Sequence, residues 1–171
     1  TDATIDAAPK AFEVNQNVDL HDNNDSGGAS ATIEYEFENQ FLLTSISSYR
    51  FSERNTNSDE DASPADVLYV NLFHDEFQQF TQEFRLASPS NEDYDYVLGA
   101  YLFSQKAESE RDAIGGVDFG GPFLAALTEA RVDTDTFAVF ANGNYYLNES
   151  WSLNGGLRYN TEDREVDFDQ A

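Results

Sequence analysis

The stretch from Thr134 to Tyr159 constrains the fold more than any other part of the chain. Between Thr136 and Gly156 the only charge is Glu149, although the protein carries 33 Asp and Glu against 9 Lys and Arg. In the second half Trp151, Leu153, Leu157 and Tyr159 alternate with Ser152, Asn154, Arg158 and Asn160. That period of two is the signature of a strand, because successive side chains leave opposite faces. The segment Asn148-Glu149-Ser150 separates it from a first arm, Thr136 to Leu147, and Tyr145, Tyr146 and Trp151 crowd against that turn. Uncharged antiparallel strands of about 9–11 residues, bordered by aromatics at a tight turn, have the pattern of an outer-membrane β-barrel hairpin.

Composition narrows the alternatives. A net charge of −24 excludes nucleic acid as a partner, since phosphate binding needs clustered cations. Without cysteine there is no disulfide framework, thiolate metal site or cysteine nucleophile. No apolar run approaches the length of about 18 residues that a membrane helix requires, so strands alone could supply a membrane role. Fourteen Phe and nine Tyr argue against disorder in so acidic a chain.

The same alternation recurs along the chain. Ala31, Ile33, Tyr35 and Phe37 alternate with Thr32, Glu34 and Glu36, and a polar turn at 38–40 leads into a nine-residue uncharged run from Phe41. Phe80, Phe84 and Leu86 share a face opposite Gln79, Thr81, Glu83 and Arg85. Strands are expected at about 11–20, 30–37, 41–52, 76–88, 94–107, 133–147 and 151–165. Short turns at 38–40, 89–93 and 148–150 alternate with long connections at 21–29, 53–75 and 107–132, where Phe123–Ala130 is read as a helical turn or two. Barrels of the outer membrane set short turns on the periplasmic side and long loops outside. The fold class is therefore all-β: an antiparallel meander of about seven strands forming part of a transmembrane barrel, with residues 1–171 as one partial barrel section. Phe80, Phe84 and Leu86 should face lipid, and Glu83, Arg85 and Arg158 the lumen.

Candidate sites are few. Asp22, Asn24 and Ser26, followed by Gly27, approach a calcium loop, but Ile33 stands where the bidentate Glu belongs, so a solvated Asx-Gly turn is expected. Asp59, Glu60 and Asp61 could hold a divalent cation, although adjacent loop carboxylates are usually solvated. His21 and His74 lack a second ligand at metal spacing and are read as loop-end residues. The glycines at 115–121 form no phosphate loop, and no nucleophile–base pair is visible, so neither an enzyme nor a cofactor is expected. Tyr145, Tyr146 and Trp151 are expected as membrane-interface anchors.

Four segments, in order, resemble strands of TonB-dependent outer-membrane receptors. Phe41-Leu-Leu-Thr-Ser-Ile-Ser-Ser-Tyr-Arg50 is similar to "LTSITGYR", and Phe80-Thr-Gln-Glu-Phe-Arg-Leu-Ala-Ser88 to "QELRLAS". Asp95-Tyr-Val-Leu-Gly-Ala-Tyr-Leu-Phe103 is similar to "VVGAYYF", and Leu153-Asn-Gly-Gly-Leu-Arg-Tyr159 to "LTAGLRY". The resemblance covers about residues 30 to 165. It implies a 22-stranded barrel around a plug, in the outer membrane of a Gram-negative bacterium, with lipid, lipopolysaccharide, the plug and TonB as partners. The implied cargo is a scarce nutrient: siderophore-bound iron, cobalamin or a glycan. No plug, TonB box or aromatic-ended closing strand is visible, so the chain is expected to be an internal section of a longer receptor. Two other readings are an eight-stranded structural or adhesive barrel and a secreted soluble β-sandwich binding calcium or sugar. Ligand residues of the family cannot be transferred to positions here.

Overall fold

The computed structural model describes residues 16–91 and 93–171. They form one antiparallel sheet of six strands: β1 Asp22–Glu36, β2 Leu42–Asp59, β3 Leu68–Ala87, β4 Tyr94–Gly115, β5 Phe123–Asn148 and β6 Trp151–Gln170. Spatial order equals sequence order, a plain meander. The edges of β1 and β6 are unpaired among the described residues. Of the strand expected at 11–20, residues 11–15 lie outside the described residues and 16–20 are not strand.

Three stretches differ from the sequence expectation. The 21–29 region is not a loop, since β1 begins at Asp22 and pairs with β2 from Asp22↔Thr56 onward. The 53–75 and 107–132 connections shrink to 60–67 and 116–122, because the hairpins continue well past the uncharged spans. Phe123–Ala130 is extended within β5, and the only helical turn among the described residues is a 3-10 turn at Val117–Phe119. Leu, Ala and Glu favour a helix locally, but here the stretch gains a hydrogen-bonded partner in β4 and, from Thr128, a second in β6. Tertiary pairing overrides propensity.

Register sorts the side chains into two faces. One cross-strand row runs Tyr35, Leu43, Leu86, Leu98, Ala141, Leu157, and the next runs Ile33, Ser45, Phe84, Ala100, Val139, Tyr159. The opposite face carries Thr44, Arg85, Gly99, Phe140 and Arg158 in one row, then Ile46, Glu83, Tyr101, Ala138 and Asn160. Phe80, Phe84 and Leu86 thus share a face with Leu153 and Leu157, while Glu83, Arg85 and Arg158 take the other, as the alternation predicts. Two faces of opposite character are the consequence of a period-two pattern held in register across five hairpins.

The apolar face is a belt with no protein layer over it among the described residues. Leu157 is 85% exposed and Val139 41%, whereas Ala138 on the polar face is 0% exposed. On β5 the belt runs from Phe137 to Leu147 without a charge, about 34 Å along a strand, enough to cross an apolar layer of about 25 Å at a tilt near 40°. Its one polar patch is internally satisfied. Ser47 donates to Gln82, and the Gln82 amide donates to Ser45 Oγ at 3.0 Å.

Turn chemistry closes the short ends. Asn148 Oδ1 accepts the N–H groups of Ser150 and Trp151 at 2.9 and 3.0 Å. Asn91 Oδ1 does the same for Asp93 and Tyr94 at 2.9 and 2.7 Å. Both are Asx turns, in which a short polar side chain satisfies backbone donors that the tight reversal leaves free.

Candidate functional site

Two regions could carry function: the polar face and the end of the sheet holding the 60–67 and 116–122 loops. On the polar face stand Arg50, Arg54, Arg85, Arg111, Arg158 and Arg164, while Lys106 and Arg131 lie on the other. Arg85 Nε pairs with Glu83 at 2.6 Å, along the strand and not across it. Arg54 binds Asp22 through two hydrogen bonds of 2.9 and 2.8 Å. The guanidinium of Arg158 lies 5.7 Å from the Tyr101 ring centre and 5.8 Å from that of Phe140. Such stacking is worth about 0.5–2 kcal/mol, more where water is excluded. Ile46, Val97, Tyr101, Phe103 and Phe140 make this face partly apolar as well.

At the loop end, the charges that looked like ligands are structural. Asp22 holds Arg54 and Asn24 accepts from Ser52, so the apparent calcium loop is a strand with its side chains committed across β2. Asp59 Oδ1 accepts the N–H groups of Asp61 and Ala62 at 3.2 and 3.1 Å. Glu60 accepts from Ser58 and lies 3.4 Å from Arg111. Asp61 takes Ser63 on one oxygen and the N–H groups of Val67 and Leu68 on the other. The three carboxylates therefore face different partners. Among the described residues no group of three or more His, Asp or Glu converges as metal ligands would. His74 is inside β3 and its ring nitrogen lies 2.7 Å from Asn55 Oδ1, so it is a strand residue and not a loop end. His21 directly precedes β1. Asp66 and Asp118, the carboxylates that join the two loops, carry no sequence signal that sets them apart from their many acidic neighbours.

The hydrogen bond from Ser63 Oγ, with the backbone donors of Leu68, Ser63 and Val67, holds the Asp61 carboxyl below the ordinary aspartate value of 3.8. A depressed folded value means stabilisation that is complete above the ordinary value and fades as pH falls through the depressed one. Pepsin cleavage at Val67–Leu68 should therefore stay slow from about pH 5 downward and accelerate only once Asp61 protonates, below its ordinary range. Asp61→Asn should be cleaved readily throughout. Equal rates for both proteins over the whole titration would refute this role.

The three aromatics expected at the interface divide between the faces. Tyr145 lies across from Tyr94 and Leu153 on the apolar face, and Trp151, 70% exposed, alternates in phase with Leu153. Tyr146 points the other way, its hydroxyl donating to Asp95 Oδ2 while Asn144 donates to Oδ1 at 2.7 Å.

Above the belt, on the face of Lys106, an open groove of about 630 Å³ is lined by His74, Glu110, Glu129, Arg131, Asp167 and Asp169. Its surface is a charged strand extension without converging ligands.

A family model for the "TonB dependent receptor-like, beta-barrel" domain matches residues 2–171. Among solved structures, the ferric yersiniabactin uptake receptor of Yersinia pestis is similar over 90% of this chain, at 14% identity and a TM-score of 0.68. The match spans 25% of that structure's own length.

Proposed function

The chain belongs to the TonB-dependent receptor β-barrel family, and from that premise we propose that it forms a section of an outer-membrane receptor wall through which a scarce nutrient is taken up with energy relayed by TonB. Members of this family are receptors and transporters, not enzymes. The observation that carries the proposal is the sorting of side chains, in register across the sheet, into an apolar belt without charge and an opposite face that carries Arg50, Arg85 and Arg158.

In this reading the apolar face meets lipid, and the turns at 37–41, 88–93 and 149–150 lie on the periplasmic side. Tyr145 and Trp151 anchor the lower interface with Tyr94, as aromatic girdles do. Tyr146, bound to Asp95, serves the wall from inside. The charged extensions of β2 to β6 stand outside, level with lipopolysaccharide headgroups. The polar face borders the lumen, where Ile46, Val97, Tyr101, Phe103 and Phe140 require a covering surface, which the plug of such a receptor supplies. Cargo is a ferric siderophore, cobalamin or glycan. The ferric siderophore is the first probe because the structural neighbour takes up ferric yersiniabactin.

The test uses the whole receptor in native outer membranes. Cysteines at Asn154 and Asn160 should react with a water-soluble maleimide much faster than cysteines at Leu153 and Leu157. Equal reactivity at all four positions would end the barrel reading. Uptake of the iron chelate should stop when the proton-motive force is collapsed, and uptake that persists would end the TonB-dependent reading.

A further inference from the structure

The 60–67 and 116–122 loops join neighbouring hairpins, β2–β3 and β4–β5, at the same end of the sheet. Loops this short leave backbone donors that need partners. The first loop satisfies several of its own through Asp59 and Asp61. The second cannot. Its 3-10 turn begins after Gly116, which has no side chain to cap it.

The missing cap comes from the other loop. Val117 N–H donates to Asp66 Oδ2 at 3.0 Å, across 51 residues of chain. Asp66 N–H donates to Asp118 Oδ2, also at 3.0 Å, so each aspartate serves the other's loop. Two backbone bonds complete the junction: Asp118 N–H to the Asp66 carbonyl at 2.9 Å, and Gly116 N–H to the Val67 carbonyl at 2.8 Å. Asn17 adds a donor to Asp66 Oδ1 at 3.3 Å.

The junction is also tightly packed. A Cβ on Gly116 would lie 2.2 Å from the Asp66 carbonyl oxygen, so only glycine permits this approach. Ala65, Val70, Gly115 and Gly116 are buried around it, in a chain with few buried residues among those described.

We propose that these two loops form one rigid body, clasped by Asp66 and Asp118, which can move only as a unit and never as two separate lids. The physical reason is that parting them strands four backbone donors at once, two of them bound to carboxylates, the stronger class of hydrogen bond. Where the sheet is a receptor wall, as proposed above, this side of its mouth is a fixed rampart and any gating of cargo falls to other loops.

Hydrogen–deuterium exchange on the full-length receptor in detergent micelles tests the clasp. In the unaltered protein, amides 61–67 and 116–121 should exchange at a common rate. Asp66→Ala should accelerate both loops together by about tenfold or more, with Asp66→Asn intermediate and residues 136–146 unchanged. Asp61→Ala, which touches only the first loop, should also loosen the second. An increase confined to 61–67, or distinct rates for the two loops in the unaltered protein, overturns the proposal. Should Asp66→Ala also loosen 136–146, Asp118→Ala and Gly116→Ala decide on the same criterion. Labelling of loop cysteines on whole cells with a membrane-impermeant reagent reports separately whether the loops are external, so a failure of the receptor reading is not mistaken for a failure of the clasp.

Discussion

Replacing Val139 by arginine should destabilise the receptor in the membrane by about 2–4 kcal/mol, the cost of an arginine on the lipid face near the midplane of a barrel. Val139 lies mid-belt on β5, opposite Ala100 on β4 and Tyr159 on β6. No carboxylate lies in its row, which runs Ile33, Ser45, Phe84, Ala100, Val139, Tyr159. Asn160→Arg is the matched control, one residue from Tyr159 and on the polar face opposite Ala138. It adds the same side chain to the same neighbourhood and should change stability by less than about 0.5 kcal/mol. Equilibrium unfolding of the two variants in lipid vesicles measures the difference. Equal stabilities would mean that the apolar face does not meet lipid.

The second large effect concerns the polar face. Phe140 lies flat over Gly99, where a Cβ would come within 2.1 Å of the ring, and Arg158 stacks on the ring's surroundings at 5.8 Å. The ring shields a strand glycine that has no side chain of its own to pack, and it supports the only aromatic-stacked arginine among the described residues. Phe140→Ala should cost about 2–4 kcal/mol, somewhat below full core truncation because the ring is half-buried. Gly99→Ala alone should cost about 1–3 kcal/mol, since the new methyl must push the ring aside. In the Phe140→Ala background the same change should be nearly free, because its obstacle has gone. The double-mutant cycle should therefore show a coupling of about 1 kcal/mol or more. Simple additivity would show that the ring and the glycine do not pack as a unit.

Much of the two-faced sheet is legible in the sequence alone. Leu157 beside Arg158, and Phe84 beside Glu83 and Arg85, can be assigned to opposite faces from alternation alone, since successive strand residues leave opposite sides of the sheet. The turn at 148–150 is marked by Asn148 between two uncharged arms, and Asn148 does close it. The extensions were not legible. Residues 22–29 and 53–59 read as loops, and Phe123–Ala130 as helical, because polar residues in the first two and apolar ones at 123–127 fall on both faces, so no period of two survives. Their strand state comes from a neighbour's ladder, as in Asp25↔Glu53 and Glu110↔Glu129, both of which pair like charges that no local preference would choose.

The candidate site divides the same way. Asp59, Glu60 and Asp61 were visible as a cluster, but their use as turn acceptors depends on where Ser63, Val67 and Leu68 arrive. Tyr145 and Tyr146 look alike as neighbours, yet strand alternation gives them to opposite faces, and Asp95 then claims the second.

By itself the sequence determined which side chains share a face, because successive strand residues leave opposite sides of the sheet and the apolar set alternates strictly with the polar set within the belt. Only the tertiary structure decided how far the strands run beyond that belt, that Arg158 meets Tyr101, and that Asp66 caps a turn 51 residues away. Those contacts depend on the register between strands, which hydrogen bonding sets across the whole sheet and which leaves no mark in any single segment.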